Sequence, residues 1–138
     1  MANDLTSSSI DRQNVLNNRY ALEKIEEHLA LGGLDFEGDR WFTKQQLVAI
    51  FEVSESTIEK YLSSHESELK ANGYQLLKGK NLKKFKELTD GTVTDYGTKI
   101  SVLGVFNFRS TLNIAMLLTD SERAKAVRSR ILDIVIDV

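Results

Sequence analysis

The chain has 138 residues, 28% charged and 41% apolar, with a net charge of −2, a balance that suits one globular domain or two small subdomains sharing a core. It contains no cysteine, which excludes a disulfide framework, a thiolate metal site and a thiol nucleophile. No apolar run is long enough to span a bilayer, and the negative balance means that a nucleic-acid partner would have to be met by a local basic surface.

Residues 1–9 form a polar leader without the apolar centre of a signal peptide. It is expected to be disordered and the chain cytoplasmic. A single N-terminal helix is expected over residues 10–34, with Val15, Leu22, Ile25 and Leu29 on one stripe, Leu16 and Tyr20 beside it, and Gly32-Gly33 as its stop. Residues 34–42 read as a small hairpin turning at Glu37-Gly38-Asp39. Phe36, Trp41 and Phe42 are then core aromatics, with base stacking by Trp41 as the alternative.

Residues 43–62, TKQQLVAIFEVSESTIEKYL, read as a helix-turn-helix within a unit spanning 35–89. Thr43 can cap the first helix and Gln46 can complete a capping box. Leu47, Ile50 and Phe51 recur at helical spacing. The helix stops near Glu52-Val53, where glycine is the more usual αL residue, and Ser54 can cap a second helix. There Ile58, Tyr61 and Leu62 face inward, while Ser56, Thr57, Glu59 and Lys60 can face outward. Two short helices joined by a tight turn can lay the second in a DNA major groove, although such units also serve as plain scaffold. The candidate DNA-binding residues are Thr43, Lys44, Ser54, Glu55, Ser56, Thr57 and Lys60, with Glu55 and Glu59 bringing negative charge toward phosphates.

A further helical turn or two ends at Asn72-Gly73, and residues 74–77 form a short strand. Gly79 breaks the chain, and residues 81–88 form an amphipathic helix with Leu82, Phe85 and Leu88 inward. Lys78, Lys80, Lys83, Lys84 and Lys86 make the dense basic cluster. Of these, Lys78, Lys80, Lys83 and Lys84 are expected to hold the DNA backbone beside the helix-turn-helix, the alternative being a solvated helix face.

Residues 90–138 are expected to hold a strand or wing and a C-terminal helical pair. The wing falls at 89–98. A buried strand at 99–105 is broken by Gly104 and Asn107, and a helix follows at 109–118. A second capping signature pairs Thr119 with Glu122. The final helix turns Ala124, Val127, Ile131, Leu132, Ile134 and Val135 inward and sets Arg123, Lys125, Arg128 and Arg130 on a basic face. The apolar, uncapped end at 134–138 suggests the front portion of a longer protein or a last turn that docks on a partner. The expected fold class is α+β, mainly α, with a winged-helix-like helix-turn-helix.

His28 and His65 lack the spacing of a metal pair. There is no phosphate-cradling glycine loop, no nucleophile elbow and no nucleophile–base pair. No catalytic residue, metal ligand or cofactor site is therefore nominated.

The stretch RWFTKQQLVAIFEVSESTIEKYL (40–62) resembles the helix-turn-helix of the RhuM-like DNA-binding proteins. NGYQLLKGK (72–80), SVLGVFNFR (101–109) and MLLTDSERAKAVRSRILDIVID (116–137) together are similar to bacterial DNA-binding proteins encoded beside Fic/Doc (death-on-curing) toxins, and the last stretch also resembles phage antirepressor-type domains. The resemblance covers residues 16–138. It implies an autoregulatory DNA-binding component of a toxin–antitoxin or mobile-element locus, with double-stranded DNA and a Fic/Doc-type toxin as partners; a homodimer is expected because one short helix reads few base pairs. It also implies chain beyond the equivalent of Val138. The competing expectation is a protein-interaction module that uses the helix-turn-helix as scaffold and docks a toxin or a second copy of itself.

Overall fold

Short runs that carry aromatic and aliphatic residues are separated by longer runs of helical period, and the chain folds accordingly. The computed structural model describes residues 5–29, 31–88 and 101–137. The elements in order are α1 (Ser9–Leu16), α2 (Arg19–His28), β1 (Leu34–Phe36), β2 (Asp39–Thr43), α3 (Lys44–Phe51), α4 (Glu55–Ser64), α5 (Glu66–Ala71), β3 (Gln75–Lys78), α6 (Gly79–Leu88), β4 (Val102–Asn107), α7 (Phe108–Leu117) and α8 (Glu122–Asp137). This is a mostly helical α+β fold with one antiparallel sheet of order β1-β2-β4-β3. Among the described residues no helix is long and apolar enough to cross a membrane.

The β1–β2 hairpin turns at Glu37 and Gly38, both at positive φ (52° and 77°), the signature of a two-residue loop that matches strand twist. Register places Trp41 opposite Asn107, Phe42 opposite Phe106 and Gln75 opposite Val105. Side chains alternate across a strand, so this register sorts neighbours into two cores. Phe42 and Phe106 join Leu16, Ile25, Leu47, Phe51, Ile58, Leu112, Met116 and Ile131 on one face. Trp41, Leu103 and Val105 join Phe36, Leu77, Leu82 and Phe85 on the other. Helix α6 therefore covers one face alone. The larger core draws on the other seven helices, so the stretches 10–34, 35–88 and 101–137 pack into one body.

Several expectations are corrected. The N-terminal helix is two helices, because the Asn18 side chain accepts the Ala21 amide and starts α2 afresh. The break re-aims the stripe: Leu16 is fully buried and Tyr20 is exposed. The leader is tied down at its end, since Leu5 is buried and Ser8 caps α1. Gly104 does not break β4. It lies within the strand, where a Cβ would come within 2.4 Å of the Tyr74 hydroxyl. Ser121, not Thr119, caps α8, accepting the Ala124 amide at 2.9 Å. The wing at 89–98 lies outside the described residues, and the end at 134–138 is described only in part.

Candidate nucleic-acid interface

The helix pair is built from local signals. Thr43 Oγ1 accepts the Gln46 amide at 3.2 Å while Gln46 Oε1 accepts the Thr43 amide at 2.8 Å, a complete capping box. Glu52 takes the left-handed conformation (φ 54°) and ends α3. Ser54 accepts the Thr57 amide at 3.2 Å and starts α4. Ile58 and Tyr61 are buried. The Tyr61 hydroxyl meets Thr119 Oγ1 at 2.8 Å, and Ser121 Oγ donates to the Phe51 carbonyl at 2.6 Å. The far ends of both helices are thus fastened to the segment that leads into α8.

What remains outward on α4 is a polar ridge of Ser54, Glu55, Ser56, Glu59 and Lys60, all exposed, with Thr57 half-buried beside it. All three hydroxyls here are engaged, because Ser54 Oγ lies 3.0 Å from Ser56 Oγ and 2.9 Å from Thr57 Oγ1. Its cations are matched by anions. Lys44 Nζ reaches Glu59 at 2.8 Å and Glu55 at 3.7 Å. Lys60 lies 3.9 Å from Asp120, and Arg123 lies 3.4 Å from Glu52. Exposed pairs of this kind add little stability, but they lower the field that the ridge presents to a phosphate backbone. Thr43 is 3% exposed and its hydroxyl serves the capping box. It therefore positions α3 and is not available to touch a ligand.

The expected lysines are elsewhere. Lys78 ends β3, and Lys80, Lys83 and Lys84 lie on α6, the helix packed on the opposite sheet face from α4. All four are exposed. Lys84 leans to Glu37 of the hairpin turn at 3.3 Å. The sheet stands between the α4 ridge and the α6 lysines, so the two do not flank a common groove, while Lys78 alternates with Leu77 and points away from α6. The arginines of α8 divide similarly. Arg128 donates to the Ala115 and Leu118 carbonyls at 2.9 and 2.6 Å, closing the end of α7.

One constellation has no sequence forewarning. Arg12 Nε and Nη2 donate to Glu68 at 2.7 and 2.9 Å, and Asn113 Nδ2 donates to the same carboxylate at 2.6 Å. Asn72 Nδ2 donates to Asn113 Oδ1 at 2.7 Å, and Arg109 Nε donates to Asn72 Oδ1 at 2.8 Å. The Arg12 hydrogen bond holds the Glu68 carboxyl below its ordinary range against partial burial, with Asn113 adding to it. These partners lie up to 56 positions apart, and they join α1, α5 and α7 behind the helix-turn-helix. Among the described residues no group of three or more His, Asp or Glu is arranged to hold a metal ion. No protein-family model, curated protein or solved structure matches the chain.

Proposed function

We propose that this chain is the double-stranded-DNA-binding domain of a transcriptional regulator, with α4 laid in the major groove. The observation that carries the reading is the α3–α4 pair itself: capped at both starts, turned by a left-handed residue, anchored inward by Ile58 and Tyr61, and left with an unpacked polar ridge. Such a ridge is the part of a helix-turn-helix that reaches base edges. Ser56 and Lys60 are the side chains best placed to touch DNA, while Ser54 and Thr57 bring the α4 N-terminus toward phosphate. The three strands β2, β4 and β3 beside the pair support a winged-helix-like form. One short helix reads few base pairs, so a two-fold homodimer is the economical assembly. The resemblance to RhuM-like and Fic/Doc-associated proteins would place the domain at a toxin–antitoxin or mobile-element locus, in the cytoplasm.

Gel-shift titration against the DNA upstream of its own gene, at low and moderate salt, tests this. Affinity is expected to fall steeply with salt, and the Ser56→Glu, Lys60→Glu variant is expected to lose site preference. Absence of salt-sensitive binding to that DNA rejects the reading. The ion pairs predict a gain as well. Glu59→Gln removes a negative charge from the ridge and loosens Lys44, and at low salt it should tighten binding on the order of tenfold, or about 1.4 kcal/mol. Unchanged affinity would mean that the ridge does not meet phosphate.

The matched charges on the ridge also favour a second reading, a protein-interaction module that docks a toxin or a second copy, with the helix pair as scaffold. Sedimentation, alone and with the product of the neighbouring gene, separates the two.

A further inference from the structure

We propose that the α6 face is a second, sequence-independent DNA-binding surface, so that one molecule holds a second duplex segment on the side of the sheet away from α4. It rests on the reading of α4 only for the choice of duplex DNA as the polyanion. Residues 78–87 carry five lysines and one glutamate, a net +4, in a chain whose total is −2; the remainder therefore carries −6. A polyanion approaching this protein meets attraction at that face and repulsion over most of the rest. Lys78, Lys80 and Lys83 are exposed and make no ion pair with any described residue, unlike Lys44 and Lys60 on the α3–α4 side.

The chemistry of the face selects the partner. Lys80 lies three and four residues before Lys83 and Lys84, so these side chains are about 5–6 Å apart on one helix surface; Lys78, at the end of β3, alternates with Leu77 and lies outside that row. Such a row suits regularly spaced phosphates. The apolar residues Leu82 and Phe85 are buried against the sheet. Among the described side chains of α6 none that is exposed is apolar, although Val102, opposite Lys78 in the sheet, is 44% exposed; the helix surface itself offers little to insert into a membrane or to anchor a protein partner. What it offers most is positive charge, which serves backbone contact and carries no base readout.

The experiment compares wild type, Lys80→Gln with Lys83→Gln, and Ser56→Glu with Lys60→Glu, after circular dichroism confirms equal helicity. Two readouts are taken on each: the salt dependence of binding to a random-sequence duplex, and recruitment of a labelled duplex by protein held on a bead-tethered one. The lysine variant is expected to lower the slope of log K against log salt by about 2 and to lose recruitment while keeping its preference for the upstream DNA. An unchanged slope and recruitment would overturn the proposal. Loss of upstream preference in the lysine variant would overturn it too, because the lysines would then lie on the duplex that α4 reads. So would tighter binding to vesicles of one part phosphatidylserine and three parts phosphatidylcholine than to duplex. A lysine-dependent slope that survives in the Ser56→Glu, Lys60→Glu variant supports the second surface even where that variant shows α4 to have no site preference to lose.

Discussion

Replacing Arg12 by alanine is expected to remove about 3–5 kcal/mol of stability, the usual cost of stripping one partner from a buried pair. The Arg12 and Glu68 side chains are 5% and 20% exposed. Without the guanidinium, the carboxylate would keep only the fully buried Asn113 and the weaker pull of His65, and the Leu5 carbonyl would lose its donor at 2.8 Å. A domain of this size has only about 5–15 kcal/mol to lose, so urea unfolding at neutral pH should show the midpoint collapse. Arg12→Met combined with Glu68→Met should recover most of the loss, because replacing both ions avoids the unpaired charge. A double variant as unstable as the single one would show that packing, not charge, is responsible. The pair also sets a pH dependence. The folded Glu68 carboxyl ionises below its unfolded range of about 4.3, so its contribution is complete above that value and is lost as pH falls through the folded one. The Arg12→Ala protein should show a shallower decline in acid.

The second large effect is expected at Gly73, where alanine should cost about 3 kcal/mol, combining loss of a helix cap with backbone strain. Its φ is +120°, and a Cβ would lie 2.2 Å from the Asn107 side-chain amide. Asn107 is the residue whose Oδ1 accepts the Ser110 amide at 2.8 Å and starts α7. Helix α7 is buried along nearly its whole length, so a displaced cap cannot be replaced by water. Gly38 provides the contrast. It also has positive φ, but nothing lies within 4 Å of its added Cβ, and Gly38→Asn should change the thermal midpoint little. Equal losses at the two positions would count against the clash and in favour of φ alone.

The parts of this fold that can be read along the chain are those whose causes are local. Thr43 with Gln46, the arrest at Glu52 and the cap at Ser54 lie within a few residues of what they stabilise, and the helix pair follows from them. The inward set of α4, Ile58 and Tyr61, follows from helical period in the same way. The break at Asn17-Asn18 was hidden because apolar residues continue at helical spacing on both sides of it. Only the competition of the Asn18 side chain for a backbone amide ends one helix and begins the next. At the start of α8 two hydroxyl residues were eligible, and the choice of Ser121 depends on the Phe51 carbonyl, 70 positions away.

The candidate site divides along the same line. The ridge on α4 was legible. The side on which the α6 lysines lie was not, because that depends on which face of the sheet Leu82 and Phe85 pack against. Nor was the partnership of Lys44 with Glu59, since it depends on how two helices cross.

Thr43 is both the last residue of β2 and the cap of α3, so no slack separates the sheet from the helix pair. The pitch at which α4 meets any ligand is inherited from the ladder between β2 and β4, as a blade takes its angle from the handle. Deleting one residue inside β2 would exchange the faces of Trp41 and Phe42 and roll the ridge away from its target, with every side chain on it intact. A residue added at the hairpin tip would leave that angle untouched, so changes in length at this end of the molecule are tolerable at the tip and ruinous a few positions later.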